Sequence, residues 1–521
     1  MPSRIAIAVL LSAFLLLIHA YFLFHLQGDS CIDDAYVSFV YARNLSAGNG
    51  LVMNPGERVE GYTNFLWVVL MSVVDRWGFD LPGSARTINL ALGATLVACA
   101  VWFLARARAS RAPGPAALVA GVMLAVDGSV ARWSQDGMET ILFSLLVLAG
   151  VGRSLREEEQ PGRYPLSAFW FGLAALTRPE GALFFAVSLA FRLFAPFSGR
   201  RDLRRLLPLV GIFSGIVLPY LTWRWLYYGY PLPNTFYAKV GATGQQVVRG
   251  AEYLLTFFLE QHWPLAAFLA LALLSKVGRR LSKWHWHLLA FIGVYLLYVT
   301  AVGGDWMGPG RFMVPMLPLA VIVIAEIFTA AAFGTGSVAR QAAAGSALLI
   351  GMAVTVYASG WNGEWASVSG ERRYIESRLA VARWLQEHAR PGDTVLANEI
   401  GQLAYHTGLD VADLYGLTDP RIAHSPSPPS MGRGKAGHEK FDLAYSFSLD
   451  PTWVCVSAVS RMYLERRDHF PPFRYYEAAV VDVPLPLELY RIVLHRRDAE
   501  TARPLKILRQ GDANREAGAS R

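Results

Sequence analysis

The chain has 521 residues, of which 54% are hydrophobic and only 17% charged, with a mean hydropathy of +0.31. Globular domains carry about a quarter charged residues, so this composition excludes an ordinary soluble domain and points to a polytopic membrane protein. The net charge of +8 falls largely in short basic loops between apolar segments, the pattern that orients membrane helices, and does not argue for nucleic acid as a partner.

The first segment, Ile5 to His25, is an apolar run of about 20 residues, long enough to cross a ~30 Å hydrocarbon core. No clear small-x-small cleavage site follows it, so it reads as a retained first helix. Further spans are expected near 84–105, 113–128, 138–152, 164–177, 180–197, 206–226, 262–276, 284–302, 312–333 and 340–359. The expectation is a transmembrane domain over residues 1–359 with about 11 helices, several of them short for a full crossing.

The stretch "YTNFLWVVLMSVVDRWG" (62–78) is also apolar. As a surface helix lying along the outer face, it leaves Arg106, Arg108 and Arg111 inside. The same choice puts inside Arg153, Arg156 and Arg163, then Arg200, Arg201, Arg204 and Arg205, then Lys276, Arg279, Arg280 and Lys283. One assumption satisfies the positive-inside rule at each of these loops. It sets the N-terminus in the cytoplasm and the C-terminus outside.

From about residue 360 the pattern changes. "RRYIESRLAVARWLQEHARPGDTVLANEIGQLAY" reads as an amphipathic helix, a Pro-Gly-Asp turn and a short strand. "WVCVSAV", "AAVVDV" and "YRIVLHR" read as further strands, and "HSPSPPSMGRGKAGHEK" (424–440) as a loop. A small extracytoplasmic α/β domain over 360–498 is expected, followed by a polar, disordered tail over 499–521. Cys31, Cys99 and Cys455 stand far apart without a CxxC pair, which supports neither a zinc site nor a disulfide framework.

On this topology the unusual polar stretches all face outward. Asp33 and Asp34 follow the first helix; Glu139 lies in "SQDGMET", Arg178 and Glu180 in "LTRPEG", Lys239 in "PLPNTFYAK", and Asp305 and Arg311 in "GGDWMGPGR". Ionisable groups at membrane depth are costly and mark function by default. Asp33 and Asp34 can cap the helix Ala35–Leu45, yet adjacent acids can also divide work, one accepting a proton while the other orients a partner. Glu139 suits a helix start by its charge alone. Arg178 and Glu180, and likewise Asp305 and Arg311, pair with each other or meet a substrate. Lys239 snorkels at the interface or meets a phosphate. Carboxylates gathered with cations at a lipid boundary suit a substrate with a phosphate head and a lipid tail, such as a polyprenyl-phosphate sugar.

"DDAYVSFVYARNLSAGNGLVMNPGERVEGYTNFLW", with "DGMET", "LTRPEG", "PLPNTFYAK", "GGDW" and "EIGQLAYHTGLDVADLYGLTD", resembles the GT-C superfamily of glycosyltransferases. It is closer still to the AftB-like arabinofuranosyltransferase group. The resemblance covers roughly residues 1–420. It implies an integral membrane transferase of the bacterial inner membrane that moves a sugar, arabinofuranose among the candidates, from a polyprenyl phosphate to an envelope glycan or lipid on the periplasmic side. By match to the family's acidic pair, Asp33 is the expected base and Asp34 its helper. A divalent cation is used by some members and not others, and no dedicated oxygen cage is visible here. Two alternatives stay open: an O-glycosyltransferase of exported proteins, and a lipid-linked sugar flippase.

Overall fold

The computed structural model describes residues 2–28, 31–106, 113–160, 163–194, 206–264, 281–307, 310–333, 365–481 and 492–497, with isolated positions between 266 and 357. In chain order the helices are α1 (Pro2–Gln27), α2 (Asp33–Ser46), α3 (Phe65–Arg76), α4 (Leu81–Ala105), α5 (Pro113–Val126) and α6 (Gly128–Trp133). They continue with α7 (Thr140–Glu159), α8 (Ser167–Thr177), α9 (Gly181–Phe194), α10 (Leu206–Tyr228), α11 (Asn234–Lys239), α12 (Gly244–Thr256), α13 (Lys283–Val302) and α14 (Leu317–Phe333).

Local chemistry sets the boundaries. Asp80 caps α4 by accepting the Gly83 N–H at 2.8 Å, with Pro82 in the first turn where its missing N–H costs nothing. Thr243 and Gln246 form a capping box at α12. Gly303 ends α13 with φ of 85°, a left-handed conformation that glycine adopts freely.

Helices α1, α4, α10 and α13 are long and apolar enough to cross a bilayer, and α5, α8, α9 and α14 are shorter apolar helices. This is a multi-pass membrane protein. Expected spans 262–276 and 340–359 lie largely outside the described residues, as do Arg108, Arg111, Arg200, Arg201, Arg204, Arg205, Lys276, Arg279, Arg280 and the tail 499–521. The stretch 62–78 forms α3, too short to span and packed on α2.

The bundle has two unlike polar ends. At one end Arg156 sits over the Trp102 ring at 4.1 Å, Arg192 meets Glu157 at 2.8 Å and His287 meets Glu158 at 2.9 Å. At the other, Glu139 precedes α7. The 20 residues of α7, at ~1.5 Å each, hold the two ends about 30 Å apart.

The C-terminal domain opens with α15 (Trp365–His388), followed by β1 (Thr394–Ala397), α16 (Ile400–Thr407), β2 (Asp410–Asp413), α17 (Pro420–Ala423), α18 (Leu443–Ser448), β3 (Trp453–Cys455), α19 (Ser457–Arg466), β4 (Tyr476–Val480) and β5 (Ile492–Arg496). The strand order is β2-β1-β3-β5-β4, with β1 parallel to β2 and β3, and β5 antiparallel to β3 and β4. The α/β character agrees with the sequence pattern, and β2 is the strand that pattern did not disclose.

Alternation along the strands divides the core. Val395, Trp453 and Val493 join the hydrophobic cluster that runs through the helical bundle, while their neighbours Leu396, Val454 and Leu494 face a second cluster with Phe447, Tyr463 and Phe473. Successive side chains on a strand point to opposite faces, so one face of the sheet seals the domain onto the bundle. Helix α15 packs on α1, and α16 packs on α2.

Candidate active site

At the domain junction a cavity of about 60 Å³ is lined by Asp34, Ser38, Tyr62, Asn64, Met138, Glu139, Arg178, Thr235, Lys239, Arg311 and Leu417. Loops that lie far apart in sequence bring Asp34, Glu139, Arg178, Lys239 and Arg311 together there.

The acidic pair separates. Consecutive helix residues point about 100° apart. Asp34 and Ser38, one turn apart on α2, both line the cavity. Asp33 turns the other way. Its Oδ1 accepts the Gln402 N–H at 2.8 Å and its Oδ2 accepts the Gly401 N–H at 3.1 Å. It thus caps α16, whose own preceding residue Glu399 makes no side-chain cap. Arg378 lies 3.8 Å away. Burial raises the Asp33 carboxyl to about 6, opposed by Arg378. Burial also raises Asp34, opposed by Lys239 and Arg311. Asp33, the expected base, is absent from the cavity lining and has its carboxylate on the N-terminus of α16, while Asp34, its expected helper, lines the cavity.

Glu139 receives Arg178 Nη1 at 2.8 Å on one oxygen and Asn64 Nδ2 at 2.8 Å on the other. Arg178 donates its Nε to Glu180 at 2.6 Å. Glu180 is buried behind that arginine and does not line the cavity. Asp305 meets Arg311 Nε at 2.5 Å, and its other oxygen accepts the Trp306 N–H at 2.8 Å. Asp305, too, stays outside the lining and holds Arg311 in place. Arg311 Nη1 lies 4.0 Å from Asp34. Lys239, the last residue of α11, has no carboxylate within 4.0 Å among the described residues.

Sequence reasoning missed Ser38, Asn64 and Thr235. The signal for Ser38 was its i,i+4 spacing from Asp34. Asn64 donates to Glu139 and, at 3.0 Å, to Ser38, a link that no local pattern encodes.

Among the described residues no three His, Cys, Asp or Glu side chains gather to hold a metal ion.

Residues 367–497 match a family described as "Domain of unknown function (DUF8728)". Over 56% of its length, the chain is 30% identical to the terminal beta-(1->2)-arabinofuranosyltransferase of Corynebacterium glutamicum, covering 48% of that protein. It is also 30% identical to the protein of the same name from Mycobacterium tuberculosis, over 48% of this chain and 41% of that one. The matched part thus spans about half the length of these relatives or less. The crystal structure of ArnT from Cupriavidus metallidurans bound to undecaprenyl phosphate superposes with a TM-score of 0.62 at 12% identity, covering 93% of this chain and 97% of that one. The chain has the GT-C fold. A second GT-C neighbour, the oligosaccharyltransferase AglB from Archaeoglobus fulgidus with an inhibitory peptide and a dolichol-phosphate, superposes with a TM-score of 0.54 at 13% identity over 91% of this chain and 74% of that one. The DUF8728 match covers most of the C-terminal α/β region, including the α16 helix that Asp33 caps.

Proposed function

We propose that the chain is a glycosyltransferase of the bacterial inner membrane that moves a sugar from a polyprenyl phosphate to a hydroxyl of an envelope glycan or lipid on the periplasmic side. The observation that carries this reading is the cavity in which one half-buried carboxylate, Asp34, faces Lys239 and Arg311. The names of the relatives make arabinofuranose the first donor sugar to test.

In the proposed reaction the Asp34 carboxylate takes the proton of the acceptor hydroxyl as that oxygen attacks the anomeric carbon. The bond from that carbon to the phosphate oxygen breaks, and the polyprenyl phosphate departs with the electron pair. Lys239 and Arg311 stabilise the charge it gains. A carboxyl raised by burial is a stronger base than an ordinary aspartate at neutral pH, which suits this role. Arg178, locked between Glu139 and Glu180, shapes the cavity floor and contributes field rather than a free hand.

The prenyl chain is proposed to lie along α10, which presents an exposed apolar face with Leu218, Pro219, Trp223 and Leu226. Trp223 packs on the Phe65 ring at 5.5 Å, and Phe65 follows Asn64 of the cavity.

The test is transfer from a synthetic polyprenyl-phosphoryl arabinofuranose by the full-length protein in proteoliposomes. Wild type is expected to transfer and Asp34→Asn to lose activity; undiminished transfer by that variant would overturn the base assignment. Mass spectrometry of envelope glycans and of exported proteins from a deletion strain separates a glycan acceptor from a protein acceptor.

A further inference from the structure

Three cations line the cavity and a fourth, Lys435, stands beside it on the Trp306 ring; they fall into two classes. Arg178 and Arg311 are each engaged by carboxylates at 2.5–2.8 Å. Two lysines are not. Lys239 has no carboxylate within 4.0 Å among the described residues, and neither does Lys435, which the outer domain supplies from the loop 424–440. The Lys435 Nζ rests 3.5 Å from the centroid of the Trp306 ring. The backbone N–H of Trp306 donates to Asp305, the residue that holds Arg311. The loop backbone lies directly on Lys239: a Cβ built at Gly437 would stand 3.0 Å from Lys239 Cε.

The loop is built to keep this shape although it contains no helix or strand. Glu439 accepts the N–H groups of Gly432 and Gly434 at 2.6 and 3.0 Å and meets Arg249 of α12 at 2.9 Å. Arg249 also donates to the Gly434 carbonyl at 3.0 Å and the Gly303 carbonyl at 2.9 Å. Lys440 is buried and gives its ammonium to the carbonyls of Tyr237, Ala423 and Ser425 at 2.8–3.0 Å. Buried polar groups satisfied this fully specify one arrangement. Three of these tethers reach the membrane domain, so the loop is fixed relative to the cavity and not only to its own domain.

His438 follows Gly437 in the loop and shares the Trp306 ring with Lys435. Its ring meets Trp306 at 5.2 Å and Tyr415 at 4.7 Å, edge to face. Burial and the charges of Lys435 and Lys239 hold it down at about 4, so it is neutral at pH 7. Asp34 and Glu399 are the acids whose field reaches Lys435 most strongly.

An ammonium on an aromatic face is held by only ~0.5–1 kcal/mol at an exposed site, and all its N–H donors remain available to an oxyanion. We infer that Lys435 of the outer domain and Lys239 of the membrane domain together form a two-lysine clamp for the phosphate of a polyprenyl phosphate. The unassigned outer domain is then part of the donor site and not solely an acceptor platform. This rests on the transferase reading above and adds a residue to it.

The probe is a short-chain polyprenyl phosphate, with the matching neutral polyprenol and inorganic phosphate as separate arms, binding to the detergent-solubilised full chain measured by native mass spectrometry. Lys435→Ala is expected to weaken the lipid phosphate about tenfold, the worth of one charged hydrogen bond, while polyprenol binding stays unchanged. Lys435→Arg is expected to restore most of the loss. Arg433→Ala, an exposed change in the same loop, is expected to do nothing. The Lys435 and Lys239 effects are expected to be non-additive because both act on one phosphate. Equal lipid-phosphate affinity in wild type and Lys435→Ala would overturn the clamp alone. Inorganic phosphate competing as well as the lipid would overturn its assignment to a lipid donor. A wild-type chain that binds no lipid phosphate would overturn the transferase reading and the clamp with it.

Discussion

The carboxylate of Asp33 accepts the backbone N–H of Gln402 at 2.8 Å, across a separation of 369 residues. An acid on α2 thereby closes the N-terminus of α16 in the C-terminal domain. With Gly401 as a second donor at 3.1 Å, the contact fixes how the C-terminal domain sits against α2. Removing the acceptor leaves two buried N–H groups without partners, at about 1–3 kcal/mol each. Asp33→Ala is therefore expected to expose the domain junction to limited proteolysis.

Asp33→Asn should behave differently. The folded carboxyl titrates at about 6, above the ordinary 3.8, because burial disfavours its charge. The docked state therefore binds the proton more tightly than the unfolded chain. The stabilisation from this is full below about pH 4 and is lost as pH rises through 6. At pH 7.5 the neutral amide removes the buried charge but keeps an acceptor for only one of the two N–H groups and turns its NH2 against the other. The apparent melting temperature of Asp33→Asn should therefore lie between those of Asp33→Ala and wild type; a drop as large as that of Asp33→Ala would show that the charge itself holds the junction.

Transfer assays should rank the pair in the opposite sense. Asp34→Asn is expected to cost 10²–10⁴-fold in kcat, the usual worth of a positioned general base. Asp33→Asn is expected to cost far less, since its side chain lies outside the cavity lining. Equal losses from the two would mean that the acids act as one unit.

Arg178 and Lys239 differ in the same testable way. Arg178→Ala would strand Glu139 and Glu180, both buried, without their cation. Breaking one side of a buried pair costs about 3–5 kcal/mol, so this variant should accumulate poorly in membranes. Lys239→Ala strands no carboxylate. It should fold, retain its thermal midpoint and bind a lipid phosphate about tenfold more weakly.

Much of this was legible in the residues, and the limits have physical causes. Apolar runs gave the helices, and Gly/Pro-rich polar turns gave the loops that meet at the cavity. The pairing of Asp305 with Arg311 and of Arg178 with Glu180 follows from short separation. The different settings of Asp33 and Asp34 were hidden because the partner of Asp33 lies in a helix 369 residues away. Strand β2 escaped because four residues, "DVAD", bounded by acids carry no alternating apolar signal. The composition of 424–440 marks a loop and says nothing of where docking will set Lys435.

That loop supplies the last prediction. Glu439 is its internal brace, holding Gly432 and Gly434 and bridging to Arg249. Glu439→Ala removes the acceptor for two backbone N–H groups and releases Arg249 from its carboxylate, while leaving Lys435 and Lys239 in the chain. If position matters and not charge alone, Glu439→Ala should weaken lipid-phosphate binding about as much as Lys435→Ala. Hydrogen exchange should distinguish the two variants. Amides of 431–438 are expected to exchange faster in Glu439→Ala, where the loop opens locally, and at the wild-type rate in Lys435→Ala, where only a surface ammonium is lost. Faster exchange with unchanged lipid-phosphate affinity would show that the phosphate does not depend on where the loop holds its lysine.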